Sequence, residues 1–178
     1  MSARAAVSGR DAVSAAATSV PGWHRWLWLS LVVVVLDFAT KQAVLASFRP
    51  GEALPVLPVF SLVLAFNPGA AFSFLAGASG WQRWVFTGIA VVASVVIVWL
   101  LRRGGSRLYC AGLALILGGA LGNLWDRITI GQVVDFLLFH WREWSYPAFN
   151  VADSAITIGA ALLIIDSFRA RRPDPKES

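Results

Sequence analysis

Two aspartates stand in apolar company where a carboxylate is expensive: Asp135 in Val133–Phe136 (VVDF) and Asp153 in Phe149–Ile156 (FNVADSAI). They are 18 residues apart with Pro147 between them, so they cannot share one helix face. They can meet only if the intervening chain folds back over the start of the helix that carries Asp153. Two carboxylates in a low-dielectric site do not both ionise easily and share one proton. That state suits peptide hydrolysis: the ionised carboxylate takes a proton from water and the protonated one supports the carbonyl oxygen. Spacing alone does not separate this chemistry from a structural ion network.

Ten acids occur in all. Asp11, Glu52, Glu143, Asp174 and Glu177 have polar surroundings, whereas Asp37, Asp126, Asp135, Asp153 and Asp166 sit in or beside apolar runs. Asp37 and Lys41 are four apart with the acid first, the spacing of a helix-face ion pair that makes two intramembrane charges tolerable. Asp166, three residues before Arg169, reads as a second surface pair. His140 reads as an interfacial side chain, because no paired nucleophile is visible. Ser73 and Ser154 lack the GxSxG elbow of a hydrolase nucleophile. His24 and His140 are far apart and outside any HExxH motif, and Cys110 is the single cysteine. No disulfide framework or Cys-based zinc site is possible within one chain, and neither a metal nor a cofactor is expected.

The elements that must position these groups follow from composition. Only 14% of the 178 residues are charged, against about 25% in soluble domains. Apolar residues make up 57%, with nine Trp and eleven Phe. This balance excludes a disordered chain and points to the bilayer as solvent. The net charge of +5 does not imply a nucleic-acid partner, because no basic helix with interleaved aromatics is present.

Four apolar segments, about 26–46, 84–101, 108–124 and 148–168, approach the roughly 20 residues of a spanning helix. Residues 1–22 and 171–178 read as disordered tails around one membrane domain, 23–170. The first segment is not read as a cleaved signal peptide, since Asp37 and Lys41 interrupt it. Of the fifteen basic residues, ten lie in the tails and the 102–107 loop, which places both termini in the cytoplasm. Residues 49–80 contain a β-favouring run, Val56–Phe66. Residues 125–147 are expected to lie along the membrane surface, anchored by Trp141 and Trp144. With this topology Asp37, Lys41, Asn123, Asp126, Arg127, Asp135 and Asp153 all fall in the outer half of the membrane, as one site would.

Five segments in order, DFATK (Asp37–Lys41), FNPGAAFSFL (Phe66–Leu75), GGALGNLWDR (Gly118–Arg127), VVDF and FNVADSAI, resemble those of the bacterial lipoprotein signal peptidases, or signal peptidase II. The resemblance covers about Trp26 to Phe168. It implies a membrane all-α fold, with four transmembrane helices, a small extracytoplasmic β-cradle at about 49–75 and a mobile surface loop or helix. It implies an aspartic endopeptidase of the inner membrane that cuts diacylglyceryl-modified prolipoproteins just before the lipidated cysteine and is blocked by globomycin-type peptides. Carried over residue by residue, the catalytic aspartates are Asp135 and Asp153. The supporting shell is Asn67, Asn123, Asp126, Arg127 and Asn150, with Asp37 and Lys41 as the structural pair. Asn67, Asn123, Asn150 and Arg127 would donate to substrate carbonyls. Pro68 departs from the non-proline residue of many members and should stiffen the turn there. The expected partners are the bilayer and the prolipoprotein, with a monomeric protein. The competing classes are a proton-coupled transporter, which would place acids at the midplane and show repeats, and a non-catalytic assembly factor.

Overall fold

The computed structural model describes residues 22–69 and 80–170. Four helices dominate: α1 (Arg25–Ser47), α2 (Trp81–Arg103), α3 (Arg107–Thr129) and α4 (Val151–Ala170). Each is long and apolar enough to cross a membrane. A helix of 23 residues extends about 35 Å against a hydrocarbon core of about 30 Å. Their outward faces are apolar: Trp28, Trp84, Val92, Val95 and Phe168 are all exposed. This protein is a multi-pass membrane protein of four helices with a small antiparallel sheet at one end of the bundle.

The helices pack around α3, whose small residues let three backbones approach. A Cβ on Gly118 would stand 2.7 Å from Val33 Cβ of α1, and one on Gly119 would collide with the Ala152 carbonyl of α4. A Cβ on Gly122 would sit 2.6 Å from an Asp37 carboxylate oxygen. The buried Ser30 hydroxyl ties α1 to α3 by donating to the Ala114 carbonyl at 2.8 Å. At the far end, Ile97, Leu101, Cys110, Leu113 and Leu117 form the apolar core between α2 and α3.

The sheet has the order β1-β2-β3-β4, from β1 (Ala53–Leu57), β2 (Phe60–Asn67), β3 (Val133–Trp141) and β4 (Trp144–Ser145). β2 and β3 are antiparallel, with Ala65 opposite Asp135 and Asn67 opposite Val133. Val44, Leu64, Val134 and Phe136 seat the sheet on the end of α1. Residues 125–147 therefore do not lie as a connection along the membrane surface. They complete α3, turn at Gly131 (φ +85°) and form two strands. The run VVDFLLFHW is apolar without strict alternation, so periodicity could not distinguish a strand from a surface segment. α4 begins at Val151, three residues after the expected start, because Phe149 is still bonded to β3 through Phe136 and Leu137. The expected tails and the 70–79 part of the cradle and outer loop lie outside the described residues.

Candidate active site

Asn150 precedes α4 and caps it. Its Oδ1 accepts from the Asp153 backbone N–H at 2.9 Å, and Asp153 Oδ2 accepts from the Asn150 N–H at 3.3 Å. This is a reciprocal capping box with aspartate at the third helical position. The Ala152 N–H, another donor of that first turn, is taken by Asp37 Oδ1 of α1 at 2.9 Å. The half-buried Asp153 thus stands at a helix N-terminus, where backbone dipoles favour negative charge.

Asp135 arrives from β3 and is 2% exposed. Its Oδ1 accepts from Asn150 Nδ2 at 2.7 Å and its Oδ2 from Asn67 Nδ2 at 3.1 Å. Asn67, the last residue of β2, is itself held by an Asx-type turn in which its Oδ1 accepts from Gly69 N–H at 2.9 Å. Burial pushes the Asp135 carboxyl up to about 7, and the neighbouring Asp153 charge acts in the same direction. The amides of Asn67 and Asn150 and the Lys41 charge act the other way.

Beneath this pair lies a second cluster. Lys41 Nζ is 2.7 Å from Asp37 and 2.8 Å from Asp126, and Lys41 and Asp37 are each 1% exposed. Asp126 also accepts from the Val134 N–H at 3.1 Å, which pins β3 to α3 one residue before Asp135. Asn123 joins the two clusters: its Oδ1 accepts from Lys41 at 3.0 Å and its Nδ2 donates to Asp153 at 2.8 Å. Arg127 donates to the Asn123 carbonyl at 3.2 Å, with its guanidinium 5.5 Å from the Phe86 ring of α2.

A family model for signal peptidase (SPase) II matches residues 29–169, most of the chain. The chain belongs to the signal peptidase II family. A lipoprotein signal peptidase of Ralstonia nicotianae is 59% identical over 148 residues, 83% of this chain and 86% of that protein. One of Paraburkholderia phytofirmans is 56% identical over the same shares. Two solved structures of bacterial membrane enzymes are similar in fold. The first has a TM-score of 0.74 and 27% identity over 85% of this chain and 93% of that one. The second has a TM-score of 0.70 and 29% identity over 80% and 91%. A signal peptidase of this family is a membrane-embedded peptidase, and the four helices are its membrane part.

In this signal peptidase, Asp37, Lys41, Asn67, Asn123, Asp126, Asp135, Asn150 and Asp153 form one continuous network, bordered by Arg127. Among the described residues no group of three or more His, Cys, Asp or Glu could hold a metal ion. Two carboxylates joined through one asparagine, one buried and one half-exposed, can divide a proton unequally and activate a water.

Several side chains differ from their expected roles. The asparagine amides are directed to carboxylates, not left free for substrate carbonyls, and Asn150 is fully buried. The signal for this was present in the Asn-x-x-Asp spacing of a capping box. Asp166 accepts a hydrogen bond from the Ser106 hydroxyl of α3 in place of the expected pairing with Arg169. His140 does have a hydroxyl partner, the buried Ser61, 2.9 Å from its Nε2. That pair is five residues along β3 from Asp135, about 17 Å, and joins the strands away from the carboxylates. Ser154 donates to the Asn150 carbonyl within its own helix. Ser73 lies outside the described residues.

Proposed function

We propose that this signal peptidase is an aspartic endopeptidase that works at the membrane surface and removes the signal peptide from diacylglyceryl-modified prolipoproteins, cutting just before the lipidated cysteine. Asp135 and Asp153 form the catalytic dyad. The observation that carries this reading is Asn150, which donates to Asp135 and exchanges two backbone–side-chain bonds with Asp153, holding both carboxyls in one frame. The lipoprotein signal peptidases of Ralstonia and Paraburkholderia support the substrate class.

The two environments divide the roles. Asp135 is buried between two amide donors and keeps the proton near neutral pH. Asp153 is more open and faces two N–H donors at a helix N-terminus, so it carries the negative charge. Asp153 takes a proton from the attacking water as Asp135 donates to the scissile carbonyl oxygen. The proton then passes to the leaving amine, and the dyad returns to its starting state. Asn67, Asn123 and Asn150 fix the carboxyls, Arg127 flanks them, and Asp37, Lys41 and Asp126 hold the elements together. The sheet end faces the periplasm and both termini the cytoplasm, in accordance with the basic residues of the opposite end. The protein works as a monomer in the inner membrane, and globomycin-type peptides compete for the dyad.

The test is cleavage of a lipidated prolipoprotein and an unlipidated control by purified protein. Only the lipidated substrate should be cut. Full activity in a folded Asp135→Asn or Asp153→Asn protein would sink the dyad.

A further inference from the structure

A cleft of about 360 Å³ opens directly beside Asp153. Its walls are Phe139, Tyr146 and Phe149 from the sheet side and Ser154, Thr157 and Ile158 from α4. Apart from Asp153 it contains no charged group. We propose that this cleft receives the diacylglyceryl group of the substrate cysteine and so sets the preference for a lipidated substrate. The proposal rests on the substrate class given above.

Three observations carry it. First, Asp153 is itself part of the wall, so a group seated here is attached close to the reacting bond. The larger apolar groove between α1 and α3, about 680 Å³, borders Asp37 and Asp126 but neither Asp135 nor Asp153. Second, the cleft descends α4 from Asp153 to Ile158, five residues or about 7.5 Å into the helical bundle. It continues there into an exposed apolar stripe, Ile158, Ala161, Ile165 and Phe168, at helical spacing. A glyceryl group at the top could run its acyl chains down this stripe into the bilayer, whereas a peptide side chain has no use for so long an apolar track. Third, the sheet wall is pre-formed. Phe139 and Phe149 stack at 6.0 Å, and Tyr146 meets Phe149 edge-on at 6.0 Å. Such a wall excludes water from one side of Asp153 and offers flat apolar area at low entropic cost.

The hydroxyl groups of the cleft are consistent with a glyceryl ester. Ser154 and Thr157 each donate to a carbonyl of their own helix turn, at 2.9 Å. Neither depends on the cleft for its hydrogen bond, so both can be replaced without orphaning a buried partner.

The experiment uses the full chain in lipid nanodiscs and a peptide with a non-hydrolysable isostere at the scissile bond, with and without a dipalmitoylglyceryl thioether on the cysteine. Wild-type protein should bind the lipidated peptide far more tightly. Thr157→Trp fills the cleft and should reduce that preference at least about tenfold, with affinity for the unlipidated peptide unchanged. With cleavable substrate the same variant should raise KM and leave kcat and its pH profile intact. Tyr146→Ala, at the exposed rim, should weaken lipidated binding alone and decides the matter if Thr157→Trp does not fold. A folded Thr157→Trp or Tyr146→Ala protein with undiminished preference overturns the proposal. Because binding of an uncleavable peptide does not require the dyad, failure here is distinct from failure of the aspartate assignment, which is read by cleavage alone.

Discussion

Two pairs of buried aspartates occupy one hydrogen-bond network, and the protein treats them differently. Asp37 and Asp126 share a lysine, with Lys41 within 2.8 Å of both. Asp135 and Asp153 share an asparagine. A buried cation between two carboxylates lets both stay ionised and fixes them, since removing any member leaves an uncompensated charge. A neutral amide orients two carboxylates but cannot neutralise them, so one retains a proton. The first arrangement is rigid and closed, and the second is poised for proton transfer. The difference lies in what stands between the acids, not in the acids themselves.

The largest effect should come from erasing the second pair. Asp135→Asn and Asp153→Asn should each lower kcat by about 10²–10⁴-fold or more, with the thermal transition of the purified protein retained. A variant that loses its fold along with its activity would move that aspartate into the structural pair. Next comes the first pair. Lys41→Met leaves Asp37 and Asp126 buried without a cation and should cost about 3–5 kcal/mol, read as a collapse in folded yield. Asp37→Ala also frees the Ala152 N–H, and should lower folded yield more than turnover per folded molecule. A well-folded but inactive Asp37→Ala protein would erase the distinction between the pairs.

The pH profile sharpens the same contrast. Asp135 must hold its proton to donate to the carbonyl oxygen, so kcat/KM should fall with a midpoint at about 7 as pH rises. The amide of Asn67 favours the ionised form of Asp135. Asn67→Ala should therefore move the alkaline limb to higher pH, whereas loss of a purely structural contact would lower activity without moving it. Stability follows with a definite sign. A carboxyl whose folded value is raised stabilises the fold fully below its unfolded value, and that contribution is lost as pH rises through about 7. Asp135→Asn should remove this part of the decline in thermal stability between pH 4 and 7.

The legibility of these features in the sequence tracks how local their causes are. The four helices were readable because each is a long apolar run. The Asp37–Lys41 contact was readable because it lies within one helical turn. Asp126 as the second partner of Lys41 was not, because 85 residues separate them and only the glycine-mediated approach of α1 to α3 joins them. β3 was missed because an apolar run of nine residues fits a buried strand and a surface segment equally well. That one omission hid how Asp135 is placed, since its position follows from the pairing of β3 with β2. The carboxylates were legible as exceptions to their surroundings, whereas the direction of each asparagine amide depended on tertiary placement.

A third environment for an aspartate provides the smallest and most discriminating test. Asp166, half-buried near the end of α4 away from the sheet, accepts from the Ser106 hydroxyl, and that same oxygen caps α3 by accepting from the Tyr109 N–H at 3.1 Å. Here the partner of the acid is a single hydroxyl, and the acid has neither a buried cation nor a second carboxylate within its hydrogen-bond set. If the partner determines the role, this aspartate should be dispensable for both charge balance and chemistry. Ser106→Ala should cost about 1 kcal/mol, the usual loss for an N-cap, and leave kcat, KM and the pH profile unchanged. Asp166→Asn should cost less still, because an amide oxygen can accept from the same hydroxyl. A shift of the alkaline limb in either variant would mean that the ends of α4 are coupled, and that the division between the two aspartate pairs is not as local as their partners make it.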